Sequence, residues 1–143
     1  MTNKAQREFD VVLYGATSFV GRFVAAHLYQ RQQQDTALHI ALAGRDSTKL
    51  EALKHELGLA GLPIIIADAS DSKALTALAE RTKVVASTVG PYARYGSAMV
   101  EACANAGTDY CDLTAEIPWM QRMMDQHGAT AKNTGARIVH SCG

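Results

Sequence analysis

The stretch that decides the fold is Phe9-Asp10-Val11-Val12-Leu13-Tyr14-Gly15-Ala16-Thr17-Ser18-Phe19-Val20-Gly21. An apolar run of strand character stops at Gly15. From Phe19 to about Gln33 the positions Phe19, Val20, Phe23, Val24, His27 and Leu28 then recur at helical spacing. A strand that turns this quickly into a helix aims backbone N–H groups and the positive helix end beyond the sheet edge, a setting suited to a pyrophosphate. Gly15 permits the tight turn, and Gly21 lets the helix pack closely on the strand. The hydroxyls of Thr17 and Ser18 add hydrogen bonds to phosphate oxygens. Gly15, Thr17, Ser18, Phe19, Val20 and Gly21 are therefore the candidate pyrophosphate site. The spacing is G-x-x-G-x-x-G with Ser18 in place of the middle glycine; in the commoner G-x-G-x-x-G frame, Thr17 and Val20 would occupy glycine positions. A Cβ at position 18 either crowds a phosphate or brings a hydroxyl that donates to it.

The same alternation continues along the chain. Further strand-like runs cover Leu38 to Ala43, Leu62 to Ala67, Lys83 to Ser87, Asp109 to Leu113 and Ala136 to His140. Helical stretches lie between them at Asp46 to Leu57, Asp71 to Arg81, Ser97 to Ala106 and Ile117 to Thr134, with Asp46 and Asp71 as N-caps. Gly58, Gly107 and Gly135 stand just past three helices, where a left-handed residue is expected. Met120, Met123, Met124 and His127 read as a core stripe on the last helix. The continuous apolar character of Ile64-Ile65-Ile66 and Val84-Val85 fits strands buried on both faces. Six strands and five helices in alternation predict an α/β chain, a doubly wound parallel sheet of Rossmann type in the order 3-2-1-4-5-6.

In such a fold the strand tips carry the chemistry. The second run ends in Gly44-Arg45-Asp46. An acidic residue at the tip would bind the ribose 2′-hydroxyl of NAD, whereas an arginine suits the 2′-phosphate of NADP. Asp46 comes one residue late for the ribose, so Arg45 points to NADP over NAD. Asp68 closes the third run and either meets the adenine amino group or organises the next turn. After the fourth run, Gly90 would allow close approach to the nicotinamide ribose and Pro91 would stiffen the loop. Tyr92 and Tyr95 either line the cleft or pack in the core.

Composition excludes several classes. At 143 residues, 48% hydrophobic and 20% charged, the chain is one globular domain rather than a disordered tail. Fourteen basic residues balance fourteen acidic ones, and aromatics are only 6%, so neither an electrostatic nor a stacking surface for nucleic acid is present. No apolar run is long enough to span a bilayer. The N-terminus lacks the apolar core of a signal peptide, and Cys103, Cys111 and Cys142 show no pairing pattern, which leads to the expectation of a reduced, cytoplasmic domain. The residues four positions after the five tyrosines are Ser18, Gln33, Gly96, Met99 and Thr114, so no Tyr-x-x-x-Lys pair exists. The five histidines have no metal-ligand spacing, and no metal is expected. Cys142 is either a thiolate nucleophile near a helix start or a small apolar residue. No catalytic residue can be named from these patterns, and the chain stops on Gly143 directly after the sixth run. The expectation is that residues 1–143 form a dinucleotide-binding domain whose substrate domain lies C-terminal in a longer protein.

Taken with Ala43-Gly44-Arg45, the segments Thr88-Val89-Gly90-Pro91-Tyr92-Ala93-Arg94-Tyr95-Gly96, Gly107-Thr108-Asp109-Tyr110-Cys111-Asp112-Leu113-Thr114-Ala115-Glu116 and His140-Ser141-Cys142-Gly143 resemble the N-terminal domain of saccharopine dehydrogenase-like oxidoreductases. That group includes the trans-acting enoyl reductases. The resemblance implies an NADP-dependent oxidoreductase acting on a small or lipid-linked substrate, derived from polyketide or lipid metabolism. It also implies association with a membrane periphery in some relatives, and it leaves a homodimer open. Tyr110, Asp112, Thr114 and Glu116 would face the cleft, or else Thr114 or Glu116 caps the last helix. A non-catalytic NADP-sensing protein is the alternative reading.

Overall fold

The computed structural model describes residues 3–143. Six parallel strands form one sheet: β1 (Phe9–Tyr14), β2 (Ile40–Gly44), β3 (Ile64–Ile66), β4 (Thr82–Ser87), β5 (Asp109–Asp112) and β6 (Ile138–Val139). Their order is β3-β2-β1-β4-β5-β6, as the alternation predicts. β1 lies at the centre, with Leu13 in register with Leu42 of β2 on one side and Ala86 of β4 on the other. The order reverses between β1 and β4, and the crevice beyond the strand ends at such a reversal is where open α/β sheets bind ligands.

Alternation along each strand divides the core into two layers. Val12, Tyr14, Ala41, Ala43 and Val85 face α3 (Ser72–Glu80) and α5 (Ser97–Ala106). Leu13, Ile40 and Leu42 face α1 (Phe19–Gln34) and α2 (Ser47–Leu57). Asp46 and Asp71 cap α2 and α3, accepting from the N–H groups of Lys49 and Ala74 at 3.0 Å each. Gly58, Gly107 and Gly135 all take left-handed conformations past their helices.

Several expectations need correction. A further short helix, α4 (Tyr92–Tyr95), follows β4, and α6 (Ile117–Thr134) is the last. The buried stripe of α1 is Gly21 and Ala25, with Val24 and Leu28 partly buried, whereas Phe19, Val20 and Phe23 are exposed. Small residues win the inward positions because the helix lies so close to β1. Ile66 is half exposed because β3 is a sheet edge and has a neighbour on one side only. On α6, Met123 is buried beside Trp119, but Met124 is half exposed.

Candidate functional site

A cleft of about 490 Å³ opens at the C-terminal ends of β1, β2, β3 and β4, within the usual size of a small-molecule site. Its floor is the β1–α1 turn. Gly15 has φ +95°, and a Cβ there would come within 2.8 Å of the Thr88 hydroxyl. A Cβ on Gly21 would collide with the Gly15 carbonyl oxygen. The two glycines let the turn fold tightly against both β4 and its own helix.

Ser18 is the N-cap of α1. Its Oγ accepts from the Gly21 N–H at 3.0 Å and donates to the Thr88 hydroxyl at 3.1 Å. Thr88 in turn donates to the Gly15 carbonyl at 2.8 Å. The serine that replaces a glycine thus ties the turn to the β4 loop. Around it, the N–H groups of Thr17, Phe19 and Val20 have no acceptor among the described residues. Those of Phe19 and Val20 are orphan donors that an α-helix leaves at its start, and that of Thr17 belongs to the turn just before the cap.

The sequence-derived candidates divide into two sets. Gly15, Thr17, Ser18, Arg45, Asp68 and Gly90 line the cleft. Phe19, Val20, Gly21 and Pro91 do not. The side chains of Phe19 and Val20 point to solvent, leaving only their backbone N–H groups for the site. Gly21 is buried beneath the turn. Pro91 precedes α4 and joins Gly90 through a cis peptide bond.

Arg45 makes no ion pair among the described residues. After the neighbouring strand β3, Asp68 accepts from the Ser70 hydroxyl at 2.6 Å and the Ser70 N–H at 2.8 Å. Those two bonds, with a smaller contribution from Arg45, hold its carboxyl below the usual range. Asp68 thus organises its turn, one of the two roles expected of it, and also lines the cleft. Tyr14, also in the lining, is pushed up to about 12, chiefly by burial.

Residues beyond the sequence-derived set complete the lining, notably Ser70, Thr88 and Arg94, while Tyr95 takes the first of its two expected places and lines the cleft. Thr88 was legible as the β4 counterpart of Gly15, since each is the first residue after its strand. Arg94 had no signal in a one-dimensional pattern, because α4 carries it there. Tyr95 lies in the cleft with the Arg94 guanidinium 5.1 Å from its ring centre.

Tyr92 instead packs in the core. Its hydroxyl donates to the Ser87 carbonyl at 2.9 Å and accepts from the Leu113 N–H at 3.3 Å, bridging the ends of β4 and β5. Burial raises the Tyr92 phenol above its ordinary value. Glu116 does not cap α6 with its side chain; its carboxylate accepts from the N–H groups of Tyr92 at 2.6 Å and Ala93 at 3.1 Å and so anchors α4. Thr114 accepts from the Glu116 N–H at 3.0 Å. Asp112 is fully enclosed, bonded to the Tyr110 hydroxyl at 2.8 Å and His140 Nδ1 at 2.7 Å. Neither Tyr110 nor Asp112 lines the dinucleotide cleft. Cys142 is exposed and outside that cleft, and burial pushes Cys111 up to about 11. No cluster of metal-binding side chains occurs among the described residues.

The cleft fits a dinucleotide on the structure's own terms: a tight glycine turn beneath it, open N–H groups at the start of α1, and at the β2 tip an arginine with no ion pair among the described residues. Comparison with known proteins agrees. The model of the saccharopine dehydrogenase NADP binding domain matches residues 11–139. A trans-acting enoyl reductase of Mycobacterium ulcerans (strain Agy99) is 48% identical over 143 residues, covering 99% of this chain and 34% of the relative. One from Mycobacterium tuberculosis (strain ATCC 25618 / H37Rv) is 49% identical over 141 residues, covering 97% and 33%. The chain thus spans about a third of the length of these curated relatives. Among solved structures, apo saccharopine dehydrogenase (L-Glu forming) from Saccharomyces cerevisiae superposes with TM-score 0.73 at 20% identity, covering 94% of this chain and 27% of that one. The leucoanthocyanidin reductase–NADPH complex from Vitis vinifera gives 0.62 at 21% identity, covering 92% and 48%. These two likenesses concern the fold. The chain belongs to the saccharopine dehydrogenase NADP-binding-domain family, and its dinucleotide is NADP.

Proposed function

We propose that this member of the saccharopine dehydrogenase NADP-binding-domain family is the cofactor half of an NADP-dependent reductase, acting on an activated carbon–carbon double bond. The observation that carries the reading is the cleft at the strand-order reversal, beside the open N–H groups at the start of α1 and with Arg45, free of any ion pair among the described residues, at its wall. The curated relatives, called trans-acting enoyl reductases, support the reaction class.

The roles follow from position. The β1–α1 turn receives the pyrophosphate through the N–H groups of Thr17, Phe19 and Val20. Gly15 and Gly21 keep the turn tight, and Ser18 locks it to Thr88. Arg45 forks onto the 2′-phosphate, an interaction a guanidinium makes in bidentate fashion. Asp68 accepts from the adenine amino group. Gly90 borders the nicotinamide ribose, and Pro91 acts only by shaping that loop. When bound, NADPH supplies a hydride; this chain's residues orient the cofactor and shield one of its faces. Among the described residues Asp68 is the only carboxylate in the cleft lining, and we place it at the adenine end. We assign the main substrate contacts and the proton donor to the part of the protein corresponding to the remaining two-thirds of the relatives. Residues 1–143 are the cofactor domain in this scheme.

Calorimetric titration of the full chain with NADPH and NADH tests it. NADPH should bind more tightly, and Arg45→Ala should weaken NADPH by about 10- to 100-fold, the equivalent of one or two charge-assisted hydrogen bonds. NADH affinity should stay the same. Equal binding of both dinucleotides, indifferent to Arg45→Ala, would refute the assignment.

A further inference from the structure

We propose that Arg94 gives this cleft a preference for the reduced form of the cofactor over the oxidised form. The inference rests on the dinucleotide reading above.

Two arginines line the cleft, one from each side of the strand-order reversal. Arg45 follows β2, in the half of the sheet formed by β1, β2 and β3. Arg94 follows β4, in the other half. In a doubly wound sheet the two mononucleotide halves of a dinucleotide spread across the strand-order reversal, one over each half of the sheet. With Arg45 and Asp68 at the adenosine end and the open N–H groups central, Arg94 is the charge at the nicotinamide end. It has no ion pair among the described residues: the Glu116 carboxylate beside the start of α4 is engaged by the N–H groups of Tyr92 and Ala93 instead, and Asp68 follows β3 in the other half of the sheet.

The platform under Arg94 is firmly held, although its side chain is exposed. Glu116 accepts two N–H bonds from the start of α4. Tyr92 ties the same turn to β4 and β5. Gly96 closes α4 so tightly that a Cβ there would lie 2.8 Å from the Trp119 ring and 2.9 Å from the Tyr92 carbonyl oxygen. Tyr95 then sits against the guanidinium at 5.1 Å, a cation–π contact that restricts where the charge can go.

NADPH and NADP+ carry the same phosphates, and they differ by one positive charge on the oxidised nicotinamide ring. A fixed cation beside that ring repels the oxidised form and leaves the reduced form nearly untouched. In a partly exposed cleft a unit charge at such range changes a binding constant by about three- to tenfold. Residues that hold only phosphates, such as Arg45, cannot discriminate in this way, because their contacts are common to both forms.

The test is to titrate the full chain with NADPH and with NADP+ at low and high salt, as wild type, Arg94→Gln and Arg94→Lys. Wild type should favour NADPH, Arg94→Gln should lower the NADPH-to-NADP+ affinity ratio by about three- to tenfold, and Arg94→Lys should keep most of it. The difference should shrink as salt rises. An unchanged ratio in Arg94→Gln with tight binding of both forms would overturn the inference and leave the cofactor assignment standing. An equal loss of both forms would overturn it too, placing Arg94 on a phosphate. Failure of the wild type to bind either form would overturn the cofactor assignment itself, and this inference with it.

Discussion

Replacing Gly21 by alanine tests the most exacting feature of the fold. A Cβ at this position meets the Gly15 carbonyl oxygen, then Ser18 Oγ at 2.8 Å and the Ala16 carbonyl carbon at 2.9 Å. Two of the three are backbone atoms at the end of the central strand, which cannot rotate away as a side chain would. The start of α1 must therefore lift from β1 by about 1 Å to reach ordinary contact distance. Overpacking of this kind costs about 2 kcal/mol. The lift also separates Ser18 Oγ from the Gly21 N–H, a cap worth about 1 kcal/mol. The expected total is about 3 kcal/mol, or roughly 10 °C in Tm for a domain of this size. Gly128 of α6 is the matched control: it is an exposed helical glycine with nothing within 4 Å of an added Cβ. Gly128→Ala should stabilise by about 0.5–1 kcal/mol through the ordinary propensity difference. Urea unfolding of both variants, with calorimetric NADPH titration of each, reads the result. Gly21→Ala should lose both stability and NADPH affinity while Gly128→Ala loses neither. A loss below about 1 kcal/mol with binding intact would show that the turn can yield, and that its tightness does not shape the cleft.

The remaining expectations concern two buried polar groups. Burial would raise the Asp109 carboxyl, but the Arg137 guanidinium, bonded through Nε at 3.0 Å, and Lys4 overcome it and leave the carboxyl at about 2. A folded-state value below the unfolded one, about 3.9, means that this stabilisation is fully present above pH 4 and is lost as pH falls from about 4 to 2. Acid unfolding of Asp109→Asn should therefore be shallower than wild type over that window, by about 1 kcal/mol after allowance for solvent screening; identical profiles would count against the pairing. Tyr92→Phe removes the hydroxyl that joins Ser87 to Leu113 and should cost about 1–2 kcal/mol. If its cost is negligible by urea unfolding, the bridge between β4 and β5 does not constrain the α4 loop.

Much of this molecule was legible before its structure. The alternation of apolar runs with helical periods determined the α/β class, and three glycines and two aspartates marked helix ends where the structure has them. These features are local: a cap bonds a residue three positions away, and a left-handed residue depends on its own φ. For the same reason the β1–α1 turn and Arg45 could be read as cleft elements from their place at strand tips. What could not be read were relations between segments far apart in the chain. Glu116 looked like a cap for the helix beside it, yet its carboxylate reaches back 24 residues to Tyr92. Ser18 looked like a group facing a phosphate, and its hydroxyl is bonded to Thr88, 70 residues on. Phe19 and Phe23 fit an inward helical stripe, but Gly21 and Ala25 face the sheet because only small side chains fit the spacing between α1 and β1. Sequence by itself thus determined the elements, their order and the dinucleotide turn. Which side of each helix is buried, and which charges remain unpaired in the cleft, was decided by packing between distant segments, whose partners meet only once the sheet has assembled.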